Sequence, residues 1–241
     1  MAKRPIFVPV RESTYVREVS VEFEWFAGFA VTQKQRSVRA LHQAASEAID
    51  VERILEVSTK SEDQIGASLS AFRLQLRSEI LDRTLSVEAA FQGSKVFEQS
   101  GQHPEIYLLE SGREIKGRMA AFASEKIEGF SFEGSSWPTT PRTAFYDWIY
   151  LRALADKVRG EELDSGTSDT ELRLLGYDGF TDIEFNPDRS INCQARSCAL
   201  FVALHRQGLI DRTKDRDSYL ELVADPRSPQ PSPRPQSFDF G

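Results

Sequence analysis

Histidine and cysteine are scarce here, three and two residues in a chain of 241. His42, His103 and His205 are scattered, and neither a paired-histidine nor a Cys-x-x-Cys spacing occurs, so no zinc-binding pattern is present. Cys193 and Cys198 stand five apart, which on a helix puts them on different sides. They are not expected to pair, and a reducing, cytoplasmic setting follows. No apolar run approaches the ~20 residues that span a bilayer. The basic start, Met1 to Pro5, is not followed by the apolar stretch and cleavage site of a signal peptide. The chain has no Gly-x-Ser-x-Gly nucleophile elbow and no Rossmann glycine fingerprint. Gly112 and Gly117 suggest a phosphate loop, but Arg118-Met119 stands where Lys-Ser/Thr is required. An excess of positive charge is also missing. At a net charge of −7, any contact with nucleic acid must be local or transient.

What is present suits a globular protein. Hydrophobic residues make up 40%, with 16 phenylalanines to build a core, and charged residues 28%. Pro5–Val10 is apolar with two prolines and reads as an edge strand or extended arm. Val19, Val21, Phe23 and Trp25 alternate with polar residues, a half-buried strand. Helical spacing marks 34–49, and 54–58 reads as a short strand. A helix is predicted over 85–98 with Ser86 as its N-cap. Phe130 and Phe132 alternate as a strand, and a further helix covers 143–157. A Gly/Ser/acidic loop is expected over 160–168, then a helix over 194–207 with Gly208 as its C-terminal cap. Strands and helices do not alternate regularly, which predicts an α+β fold rather than a doubly wound sheet. Residues 225–241 hold five of the 11 prolines and are expected to be a disordered tail.

Three segments could carry chemistry. In Val87–Phe97, a continuous helix would place Glu88, Phe91, Gln92 and Lys95 in one stripe: a carboxylate, a ring, an amide and an amine. The alternative is that Glu88 and Lys95 are solvated and only Phe91 is core. Tyr177–Pro187, continuing to Asn192–Ser197, gathers Asp, Glu, Asn, Gln and Arg around aromatics just before a helix. This segment could hold a ligand or could be a turn with a helix cap at Asn192. Gly112–Arg118 carries three cations that could grip a diphosphate or form a solvated basic face.

Together these segments resemble the NADAR (YbiA-like) family, and within it the branch found beside DarT-type toxins. Glu88, Phe91, Gln92 and Lys95 match the family signature Glu-x-x-Phe-Gln-x-x-Lys in full. Leu69-Ser70-Ala71-Phe72 stands where the family has Ser-Asn-Phe, with Ala71 in place of Asn. Ser111–Lys116, Trp137-Pro138, Thr143–Trp148, Phe180–Pro187 and Ser190–Ala195 are similar to elements of the toxin-linked branch. Phe180-Thr181-Asp182 departs from the Trp-Gly of the wider family. The likeness divides the chain into a branch-specific part, 1–66, packed on a NADAR core, 67–224, followed by the tail.

The resemblance implies a glycohydrolase that removes ADP-ribose from guanine in DNA, acting as antitoxin to a DarT-type toxin, with no cofactor and no metal. Under that reading Glu88 supplies charge stabilisation or base catalysis at the ribose, and Asp182 is the second carboxylate. Lys95 is a proton donor or charge stabiliser, or forms a Schiff base with the opened sugar. Ser70, Phe91 and Gln92 line the site, while Phe72 and Phe180 stack on nucleobases. Arg113 and Lys116 take the diphosphate, and Asn192 and Gln194 take ribose hydroxyls. The alternatives are an N-glycosidase for a small ribosyl nucleotide, a non-catalytic ADP-ribose reader, and an antitoxin that contacts its toxin directly. For the last, Lys34, Arg36 and Arg39 on the N-terminal helix offer a surface, though an ordinary amphipathic helix would look the same.

Overall fold

A computed structural model describes residues 1–12, 14–28, 30–166 and 168–224; the expected disordered tail, 225–241, lies outside them. In chain order the elements begin β1 (Ala2–Pro9), β2 (Val16–Phe23), α1 (Val31–Ala48), β3 (Ile54–Glu56), α2 (Gln64–Ser68) and β4 (Gln75–Ser78). There follow β5 (Arg83–Ser86), α3 (Val87–Gly93), β6 (Lys95–Phe97), β7 (Gly101–Gln102), α4 (Gly112–Met119) and β8 (Ile127–Phe132). The remainder are β9 (Ser135–Trp137), α5 (Ala144–Ser165), α6 (Asp169–Leu175), β10 (Gly179–Thr181), α7 (Gln194–Arg206) and α8 (Arg216–Val223). The result is a mixed α+β fold with two four-stranded sheets, β2-β1-β10-β3 and β7-β6-β8-β9, and the hairpin β4-β5. No helix of the described residues is long and apolar enough to cross a membrane.

The first sheet ties the N-terminal strands to the rest. β1 pairs with β2 along its whole length but with β10 only through Ile6 and Phe7. It is therefore an inner strand, not the edge strand its prolines suggest. Pro5 and Pro9 are tolerated because both fall outside the two residues that pair with β10. Ile6, Val8, Val21 and Phe23 pack with Val38, Leu41 and Ala45 of α1 in one core cluster. The larger cluster is built on α5 and α7, where Tyr150, Leu151, Leu154, Ala199, Leu200 and Val202 are essentially inaccessible.

Two element expectations are corrected. The segment 160–168 is not a loop: α5 runs on to Ser165 and ends at Gly166, whose φ of 77° supplies the left-handed cap. Of the acidic residues that suggest a loop, Glu161 is structural. The Glu161 carboxylate accepts from Ser168 Oγ, Thr170 N–H and Thr170 Oγ1 and pairs with Lys157, fastening the end of α5 to α6. The helix expected over 85–98 covers only Val87–Gly93. Ser86 caps it as expected, accepting from Ala89 N–H at 3.1 Å. It stops because Gly93 lies against the Tyr107 ring and Ser94 Oγ donates to Ala90 O while bonding the Tyr107 hydroxyl. The chain then turns into β6.

Candidate active site

α3 is docked N-terminus first. Its leading N–H groups have no partners within the helix, and Val87 and Glu88 donate theirs to Leu74 O and Ala71 O, both at 3.0 Å. The turn that accepts them, Ser70 to Leu74, is held from the other side by Gln194, whose Oε1 takes the Ala71 N–H at 2.7 Å. Gln194 opens α7, and α7 is locked to α5 by the Arg196–Asp147 ion pair and by a 2.7 Å bond from Ser197 Oγ to Asp147. Segments distant in sequence thus fix the turn on which α3, and with it Glu88, is docked.

Lys95 does not share a helical stripe with Glu88. It is the first residue of β6, opposite Phe130 of β8. It reaches the same place nonetheless: it is 4% exposed and its Nζ lies 4.9 Å from the centre of the Phe91 ring. Burial pushes its amine down to about 8, against the pull of Glu88. Burial also raises the Glu88 carboxyl above its ordinary range, opposed by a 2.9 Å bond from Gln92 Nε2 and by the Lys95 charge. Glu88 keeps some exposed surface although burial dominates it.

Three of the residues assigned to ligand binding carry buried polar atoms without partners. Ser70 Oγ, Gln92 Oε1 and Asn192 Oδ1 are each buried with no hydrogen-bond partner among the described residues. Such atoms cost ~1–3 kcal/mol apiece and ordinarily find one.

Asp182 follows β10, is 7% exposed, and its Oδ1 accepts from the N–H groups of Glu184 and Phe185. Burial, and next the charge of Glu56, raise its carboxyl well above the usual range. Phe72 is 49% exposed, its ring packed over Gly112 at the start of α4. Arg113 and Lys116, both exposed, ride on that helix, which opens with the Ser111/Glu114 capping box. Phe180 is the clear correction. It lies in β10 between β1 and β3 with 0% exposure, so it has no face to offer a base and serves the core instead. The cations of α1 are likewise engaged within the chain: Lys34 lies over Trp25, Arg36 over Phe26, and Arg39 makes a two-pronged bond to Glu62.

Two residues escape the sequence reading. Tyr146 of α5 meets Phe91 edge-on at 5.1 Å and feels the charges of both Glu88 and Asp182, which with burial raise its hydroxyl well above its ordinary value. Glu56, 3% exposed, accepts from Ser58 Oγ, Thr181 Oγ1 and Ile183 N–H. It therefore grips the residues on either side of Asp182, and burial pushes its own carboxyl up to about 7. Neither stands in a spacing that marks it, because each acts through strands or helices far away in the chain. Among the described residues no group of three or more His, Cys, Asp and Glu side chains is placed to hold a metal ion.

The family model described as DarT1-associated NADAR antitoxin covers residues 2–232. The search of curated proteins found no match.

Proposed function

Because the chain belongs to the DarT1-associated NADAR antitoxins, we propose that it hydrolyses the N-glycosidic bond between ADP-ribose and guanine in DNA. The observation that carries the proposal is the burial of Glu88 and Lys95 within reach of each other's charge, with the Lys95 amine over the Phe91 ring; buried polar atoms of Ser70, Gln92 and Asn192 without a partner among the described residues support it.

Cleavage of a ribosyl N-glycoside builds positive charge on the anomeric carbon and negative charge on the departing base. Glu88, oriented by Gln92, faces the cationic carbon and activates the attacking water. Burial, and next the charge of Glu56, raise the Asp182 carboxyl well above its ordinary range, which suits it to give a proton to the leaving guanine, as a carboxylic acid does in other glycosidases. Lys95 is largely an ammonium at neutral pH and stabilises negative charge or donates a proton. Its lowered proton affinity also keeps a Schiff base within reach. Phe72 at the rim stacks on a base, and Arg113 and Lys116 take the diphosphate.

Glu88→Ala is expected to fold with a near-normal melting temperature and to lose ~10²-fold or more of the release of ADP-ribose from a modified oligonucleotide. Full activity in that variant removes the proposal. The net charge of −7 favours a second reading, a small ADP-ribosyl nucleoside as substrate. Turnover of the free nucleoside at least as efficient as that of the oligonucleotide would establish it.

A further inference from the structure

The turn Ser70–Leu74 has two sides. Ala71 is bonded to Glu88 and Gln194 of the candidate site. Arg73 and Leu74 line a separate open cleft of about 550 Å³ between the β4-β5 hairpin, α2 and α5. The cleft also takes in Arg77, Asp156 and Lys157, with Ser68 and Gln75 as neutral hydrogen-bonding groups. Resting on the reading above, we infer that this cleft seats the sugar-phosphate backbone of the DNA strand next to the modified guanine.

Charge is the first argument. In a chain of net −7, the cleft brings together three cations and one carboxylate. That carboxylate is already engaged by its own chain: Asp156 accepts from the Arg77 N–H at 3.0 Å and from Arg159 at 2.8 Å. Arg73 is exposed and makes no side-chain ion pair or hydrogen bond among the described residues. Among the described residues the Arg77 side chain is paired only with Asp82, itself 89% exposed; an exposed pair of this kind contributes little, so a phosphate can replace that carboxylate. Lys157 is held by the part-buried Glu161 and lends the cleft its charge without changing partners.

Continuity is the second argument. Phe72, half-exposed, stands on the same turn between Ser70 and Arg73. A strand whose modified base enters the site past Phe72 runs directly onto Arg73. An acidic protein would then hold DNA through a short basic track beside its reaction centre and repel it elsewhere.

The test measures anisotropy of a labelled, unmodified single-stranded oligonucleotide at low salt, with wild-type protein and with Arg73→Glu/Lys157→Glu. The control is Arg11→Glu/Arg17→Glu, an equal charge change at exposed positions of the first sheet and its turn. Wild type is expected to bind, with affinity falling as salt rises, and the cleft variant to bind ~10-fold or more weakly with a flatter salt dependence. The control is expected to bind nearly as wild type, and melting curves check that each variant is folded. Turnover of a free ADP-ribosyl nucleoside is expected to be unchanged by the cleft substitutions, while KM for the modified oligonucleotide rises. No binding by wild type, or equal weakening in both variants, overturns the inference. Binding that follows the expectation with no release of ADP-ribose from any substrate would instead count against the proposed reaction and leave the cleft assignment standing.

Discussion

Lys95 changes charge close to neutrality. Its amine is pushed down to about 8 by burial, so the ammonium predominates below that value and is lost above it. If the ammonium acts, kcat on modified DNA falls as pH rises through about 8, and Lys95→Arg moves that limb upward. A rate that instead climbs through the same region marks the free amine as nucleophile, and borohydride should then trap an adduct. Glu88, Phe91, Gln92 and Lys95 were legible in the sequence because they sit within eight consecutive residues. The geometry behind that spacing was not: Lys95 arrives on a strand, and the pair meets because the chain turns at Ser94. Tyr146 and Glu56 were invisible for a different reason. A buried tyrosine in an apolar helix and a lone glutamate in a short strand carry no local mark, and their meaning depends on what lies across the core from them.

Among the elements, the long helices could be read from their periodicity and the site's supports could not. α3 has seven residues, too few to persist alone. It is held by Ser86 at its start and by the carbonyls of the turn before the hairpin, contacts that no pattern announces. α2 presents a sharper constraint. A Cβ added at Gly66 would come within 2.0 Å of the Glu56 carbonyl oxygen, so only glycine lets α2 pack on β3. Gly66→Ala is expected to destabilise by ~1–3 kcal/mol in urea denaturation, and to lower activity by moving the strand that carries Glu56. Gly117→Ala on α4, where an added Cβ meets nothing within 4 Å, should instead raise stability by ~0.5–1 kcal/mol through helix propensity. The loop expected over 160–168 failed on composition: glycine and acidic residues suggested solvent, whereas Glu161 collects a lysine and the start of the next helix.

Across the whole molecule, a chain of hydrogen bonds joins the N-terminal helix to the loop bearing Asp182. Thr181 Oγ1 donates to Glu56 Oε2 at 2.8 Å, so it accepts from His42, whose Nε2 lies at 2.8 Å and must carry the hydrogen. Burial pushes His42 down to about 4 from its ordinary 6.5. A lowered value means that the unfolded chain takes up the proton first. His42 therefore contributes stability that is present above pH 6.5 and is lost as pH falls toward 4, on the order of 3 kcal/mol in full. Glu56 has the opposite sign. Its carboxyl is raised from 4.5 to about 7, so its contribution is complete below pH 4.5 and is lost as pH rises through 7. Denaturation curves for wild type and His42→Gln are expected to diverge most at neutral pH and to converge in acid. Parallel curves would show that the histidine is not in this circuit.

The inner position of β1 also governs when the protein can start to work. Ile6 is made long before Thr181, its partner in β10, and pairings so distant in sequence form late. The platform for Asp182 cannot close on a nascent chain, and synthesis halted anywhere before β10 produces no partially protective fragment. Protection by this antitoxin would then wait on translation of β10, which makes the delay between transcription and protection a property of the sheet's strand order.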